Sequence, residues 1–75
     1  MRSQLDPNLV ITSRRVDILR RVAAGCTPRE IAKQLGISVG TVYEHLEVIR
    51  RRLGSHTNPE SVRTAIRHGF VPSED

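Results

Sequence analysis

Cysteine is nearly absent from this chain of 75 residues. A lone Cys26 cannot form an internal disulfide, and together with three scattered histidines it offers no spacing that could assemble a zinc site or any other metal centre. Long apolar runs are missing too, so no segment reads as a membrane span. Met1 to Pro7 lacks the apolar stretch that follows the charge in a secretory signal, so a cytoplasmic protein is expected. There is no β-alternating run, internal repeat or low-complexity tract. No acid–base pair, metal cluster or phosphate-cradling loop can be assembled from the residues present. The expectation is therefore a protein that is not an enzyme, takes no small-molecule cofactor and has no membrane partner.

What is present is basic and regularly patterned. Twelve Lys and Arg against eight Asp and Glu give a formal charge of +4, with an isoelectric point near 10.6. A polyanion leads the plausible partners, although a solvated basic face would give the same totals. A hydrophobic fraction of 37% at regular spacing argues for a folded chain and against a disordered basic tail. The length allows one small domain with a modest core.

Capping residues and glycines recur at the intervals that short helices require, and they predict an all-α fold of four helices. The first opens with Thr12 or Ser13 as N-cap, carries Ile18, Leu19, Val22 and Ala23 on one side, and stops at Gly25. The second starts at Thr27 with Pro28 in its first turn and Glu30 closing a capping box, lines its inner stripe with Ile31, Ala32 and Leu35, and ends at Gly36. Ser38 caps the third, whose Val42, Leu46, Ile49 and Leu53 share one stripe and which Gly54 terminates. The fourth is expected from Asn58 as N-cap, with Pro59 following, Val62, Ala65 and Ile66 inward, and an end at Gly69 before Pro72. Residues 1–11 read as an amino-terminal arm, 12–71 as the domain and 72–75 as an acidic tail.

Between the second and third helices lies a specific spacing: Ala32, Gly36 four residues later, Val42 six after that. A small residue allows close crossing, a glycine makes the turn and a valine plugs the interhelical angle, which is the skeleton of a helix-turn-helix. At 100° per residue the third helix (about 39–53) then turns Gly40, Tyr43, Glu44, Glu47, Val48 and Arg51 outward. Placed in a DNA major groove, that face is the reading head: Glu44 can accept from a base amino group and Tyr43 can touch bases or phosphate, while Gly40 permits close backbone approach. The plainer reading leaves Glu44 and Glu47 as solvated charges. Phosphate contacts are expected at helix N-termini, from Thr27 and Arg29 on the second helix and Ser38 and Thr41 on the third. Arg50, Arg51 and Arg52 extend the positive surface or complement the helix dipole. His45 reads as an inward-facing imidazole and Cys26 as a packing residue.

These residues resemble the LuxR-type helix-turn-helix family, also called the FixJ or GerE type, over about residues 11–71. The resemblance rests on Ile11-Thr12 with Arg14, the Gly25 to Thr27 turn, Glu30-Ile31-Ala32, Leu35, Ile37-Ser38, Thr41-Val42, His45, Ile49, Leu53-Gly54 and Glu60. It implies a bacterial transcription regulator that binds double-stranded DNA sequence-specifically through its third helix. It also implies a homodimer formed through the fourth helix, around Ser61, Thr64, Ala65 and His68, with RNA polymerase a further candidate partner. Family members usually carry an additional amino-terminal receiver or ligand-binding domain, so the chain reads as either a small stand-alone regulator or one domain of a longer one. The sequence departs from the family pattern at Arg15, where Glu is usual, at Tyr43 and Arg52, where Lys is usual, at Val48, where Asn is frequent, and at Asn58, where Arg is common. Two competing readings remain at this level. One is a protein-interaction adaptor gripping an acidic partner through Arg50, Arg51 and Arg52, and the other is the DNA-binding part of a recombinase or sigma-like factor.

Overall fold

The computed structural model describes residues 11–71, which form four α-helices: α1 (Ser13–Ala23), α2 (Pro28–Leu35), α3 (Val39–Leu53) and α4 (Asn58–Arg67). Among the described residues there is no strand, and no helix is long and apolar enough to cross a membrane.

Each helix begins where a hydroxyl side chain can take up an N–H left without an intrahelical partner. Thr12 caps α1, its Oγ1 accepting from the Arg15 N–H at 3.3 Å. At α2 the capping box is complete in both directions: the Glu30 N–H donates to Thr27 Oγ1 at 3.2 Å and the Thr27 N–H donates to Glu30 Oε1 at 2.8 Å. Ser38 caps α3 by accepting from the Thr41 N–H at 3.0 Å.

The fourth helix corrects the expected start by one residue. Thr57 is the N-cap, accepting from the Glu60 N–H at 3.2 Å, and Asn58 is the first helical residue. The Asn58 oxygen is engaged elsewhere, accepting from Arg50 Nη1 at 2.7 Å, so it ties α4 to the end of α3 instead of capping its own helix.

The turn between α2 and α3 depends on Gly36, whose φ of 71° and ψ of 33° lie in the left-handed region. An L side chain strains that conformation, and reversing the chain there allows the Ile37 N–H to reach the Ala32 carbonyl at 3.1 Å. Two residues later the chain re-enters a helix at a new angle.

Helix α3 packs on each of the other three helices, whereas α2 and α4 do not meet. The core follows from this: Ile18 and Leu19 from α1, Ile31 and Ala32 from α2, Val42, Leu46, Ile49 and Leu53 from α3 and Ala65 from α4 are all buried. Val71 is buried beyond the last helix, and so is Ile11, which the sequence pattern leaves in the arm. The rest of the expected arm and the tail at 72–75 lie outside the described residues. Ala23, expected on the inner side of α1, is exposed, so the buried stripe of that helix stops short of its last residue. Val62 and Ile66 are half-buried and pack against the core.

Candidate nucleic-acid interface

A helix gripped on one side by three neighbours presents its other side to solvent at a fixed angle, and α3 does so with a defined row of residues. Gly40, Tyr43, Glu44, Glu47 and Arg51 are exposed, opposite the buried Val42, Leu46, Ile49 and Leu53. Val48, expected on the outer face, is only half-buried and is not packed against the core. Tyr43 is 56% exposed and is the large apolar side chain that the fold leaves uncovered among the described residues.

The charges along this row differ in their partners. Glu47 Oε2 lies 3.5 Å from Arg51 Nη1, one turn along the helix, and both side chains remain well exposed. An exposed i,i+4 pair contributes only a few tenths of a kcal/mol, so either partner can exchange it for a stronger contact. Glu44 has no ion pair within 4 Å, the two pairs among the described residues being Arg51–Glu47 and Arg21–Asp17.

The three consecutive arginines after this row stand in three different environments. Arg50 is half-buried and held by Asn58. Arg51 is paired with Glu47, and Arg52 is exposed without a described hydrogen bond or ion pair.

The expected phosphate contacts sit at exposed helix starts. Thr27 and Arg29 are exposed on the first turn of α2, and Ser38 is exposed ahead of α3. Thr41 is half-buried, and its hydroxyl lies 2.9 Å from that of Ser38. The structure thus joins Ser38 to Thr41 and Glu47 to Arg51 directly, while no hydrogen bond or ion pair among the described residues links the α2 group to the α3 group. The body is more basic than the whole chain. Of the acidic residues Asp6, Glu74 and Asp75 fall outside residues 11–71, whereas of the basic residues only Arg2 does.

His45 lies half-buried behind the outward row, and its partner comes from another helix. Arg15 Nε on α1 donates to His45 Nδ1 at 3.1 Å. That bond needs a neutral imidazole with a lone pair on Nδ1. Burial, and then the positive charges of Arg15 and Arg14, hold the histidine below its ordinary pKa, against a smaller opposing pull from Glu44. The folded state therefore binds a proton at His45 less readily than the unfolded chain does. Its contribution to stability is full above the ordinary imidazole value of about 6.5 and is lost as pH falls below it. Thermal midpoints measured between pH 8 and pH 5.5 are expected to fall more steeply for the native chain than for His45→Gln, and parallel curves would refute this role. The arginine partner was not legible in the sequence, since the two residues are thirty positions apart and Arg15 carries no local signal of a histidine contact.

The face expected to form a dimer is corrected in part. Ser61 and Ala65 are fully buried, because the side of α4 that carries them packs inward against α1 and α3. The buried Ser61 hydroxyl is satisfied by that of Ser55. Of the four residues expected on an outer face, Thr64 is half-buried and His68 exposed. Both line a shallow groove with Gly54, Glu60, Arg63 and Arg67.

Comparison with known proteins agrees with this geometry. RamA of Corynebacterium glutamicum, an HTH-type transcriptional activator, is 40% identical over 62 residues, which is 83% of this chain and 22% of RamA. The transcriptional regulatory protein MctR of Rhizobium johnstonii is 38% identical over 61 residues, 81% of this chain and 28% of MctR. Among solved structures, a VqmA dimer of Vibrio cholerae without its target DNA superposes with a TM-score of 0.79 at 27% identity, over 92% of this chain and 32% of that one. The VqmA complex with ligand and DNA gives a TM-score of 0.75 at 26% identity, over 93% of this chain and 31% of that one. The chain thus spans less than a third of the length of these relatives. Residues 9–65 match the family described as bacterial regulatory proteins, luxR family, and with four helices, a helix-turn-helix built from α2 and α3 and relatives at these identities, the chain belongs to that family.

Proposed function

We propose that the domain binds double-stranded DNA sequence-specifically, as part of a bacterial transcription regulator, by inserting α3 into the major groove. The observation that carries this reading is the division of α3 into a buried stripe held by three helices and an opposite exposed row of Gly40, Tyr43, Glu44, Glu47 and Arg51. A rigid helix about one groove wide is the element that direct readout requires. Thr27 and Arg29 at α2, with Ser38 and Thr41 at α3, anchor the domain on phosphates through free N–H groups, hydroxyls and charge. A solved relative in complex with DNA supports the same assignment.

Two copies bind two half-sites about one helical turn of DNA apart, meeting through the Thr64 and His68 side of α4. Arg63 and Arg67 border that side, so facing copies gather like charge and the dimer is favoured on the polyanion over free solution. The adaptor reading has less support, because Arg50, one of the three arginines it relies on, is half-buried and held by Asn58 within the domain.

Selection of bound sequences from a random duplex pool tests the proposal. The expected outcome is an enriched motif whose affinity falls on the order of 100-fold between about 50 and about 200 mM salt, as follows for roughly four neutralised phosphates. An unenriched pool at low salt would refute sequence-specific binding. Sedimentation of the chain with and without the selected duplex then tests the dimer, which is expected only in its presence.

A further inference from the structure

The chemistry of the exposed row on α3 restricts which bases it can read, an inference that rests on the DNA-binding function proposed above. Gly40, Glu44, Glu47 and Arg51 follow one another at intervals of four, three and four residues, with Tyr43 beside them, so they share one exposed face. Within the first two turns of that face there is no cation. The one arginine in the row, Arg51, stands about three turns behind the N-terminal end of α3, the end that reaches base edges in this motif. Ser38 and Thr41 pair their hydroxyls at the start of the helix, so the hydroxyl within the exposed row is that of Tyr43.

Guanine presents two acceptors, N7 and O6, in the major groove and is read by donors from Arg or Lys. Glu44 offers the opposite, being a carboxylate without an ion pair that can only accept. Brought against a groove edge without a donor, it would lose its water and gain nothing in return. The donors available in the groove are the exocyclic amino groups of cytosine N4 and adenine N6. Tyr43 has a comparable constraint, since its ring is open to solvent and the apolar feature of the groove is the thymine methyl.

Gly40 adds an independent observation. A Cβ built there would meet only Ser38 Oγ, at 3.8 Å, which is ordinary contact, so nothing inside the fold requires a glycine. Glycine is a poor helix former compared with alanine, and its place at the exposed front of α3 leaves the helix backbone open to close approach by a partner.

We propose that α3 selects base pairs presenting an exocyclic amino group in the major groove, with Glu44 as the acceptor and Tyr43 against an adjacent thymine methyl, and does not read guanine through its acceptor pair. The half-site is thereby defined by amino-group donors and methyls.

The test uses the full chain and the duplex enriched by selection, with single-base analogues introduced position by position. N4-methylcytosine and N6-methyladenine keep their base pairs but turn a methyl group into the major groove in place of the amino proton. At one position or more this weakens binding about tenfold, and the penalty disappears in Glu44→Ala. The position that responds tells cytosine from adenine. Uracil for thymine costs about threefold at a neighbouring position, from the loss of one methyl, and Tyr43→Ala removes that penalty. Replacing guanine by 7-deazaguanine changes affinity less than twofold throughout. Gly40→Ala leaves the thermal midpoint equal to or above that of the native chain and weakens binding. A tenfold loss with 7-deazaguanine, or an unchanged amino-group penalty in Glu44→Ala, overturns this proposal while leaving DNA binding in place. If the native chain shows no salt-dependent affinity for any duplex, the DNA-binding reading itself fails and this inference with it.

Discussion

Leu46→Ala is expected to lower the thermal midpoint by on the order of 15 °C, so that DNA binding is lost at temperatures where the native chain still binds. Leu46 is 1% exposed at the middle of α3, which, like α1, packs on all three other helices. Truncating a buried leucine costs about 3 kcal/mol through lost transfer free energy and the cavity left behind. In a domain of this length each kcal/mol moves the midpoint by about 4–8 °C, and total stability of a small domain is only about 5 kcal/mol. The loss therefore consumes most of the margin. Tyr43→Ala is the matched control: the side chain is 56% exposed on the same helix, and its removal is expected to shift the midpoint by less than about 3 °C. Thermal melts followed by far-ultraviolet circular dichroism decide the matter. A shift below about 5 °C for Leu46→Ala would mean that α3 is not a hub of the core.

Thr41→Glu should do the reverse, separating binding from folding. The Ser38 hydroxyl accepts from the backbone N–H of residue 41, a contact that does not depend on the side chain there. A glutamate at that position can reach back to the Ser38 N–H, as Glu30 does to Thr27 at the start of α2, and a negative charge in a first turn complements the helix dipole. The fold is expected to be retained, with a midpoint equal to or slightly above that of the native chain. The same carboxylate stands where a phosphate is expected, adding repulsion and removing a hydroxyl contact. DNA affinity is expected to fall on the order of 100-fold, the equivalent of about 3 kcal/mol for a lost charge-assisted contact replaced by a like charge. Fluorescence anisotropy with the selected duplex, alongside the melt, measures both. Unchanged affinity would place the phosphate contact away from the α3 N-terminus, and a collapsed melt would contradict the capping argument.

The helix-turn-helix was legible because the interactions that delimit it are short-range. Thr27 and Glu30 close their box over three residues, Ser38 caps the Thr41 N–H over the same interval, and Gly36 reverses the chain by its own backbone. Such signals survive in a linear string, as does the interval between buried positions on α3. The exposed row of α3 was legible for the same reason, apart from Val48, which is half-buried.

Thr57 and Asn58 are both good N-caps, and the choice fell to Thr57 because Arg50, from the end of another helix, takes the Asn58 oxygen. The family resemblance puts Ser61 and Ala65 on a dimer-forming face of α4, yet both are buried, Ser61 with Ser55 as its partner, which removes them from any outer face of that helix. Ile11 reads as part of an arm and is core.

The sequence by itself determined where helices start and stop and which side of α3 faces water, since capping, chain reversal and the 3.6-residue repeat are settled within a few residues of chain. Tertiary structure decided which polar side chains are spoken for: Arg15 for His45, Arg50 for Asn58, Ser55 for Ser61. Each of those pairs joins different parts of the fold, and only packing brings them within hydrogen-bond distance. The division follows from range: backbone groups find partners among near neighbours, whereas a buried or half-buried side chain must be satisfied by whatever the folded chain delivers to it.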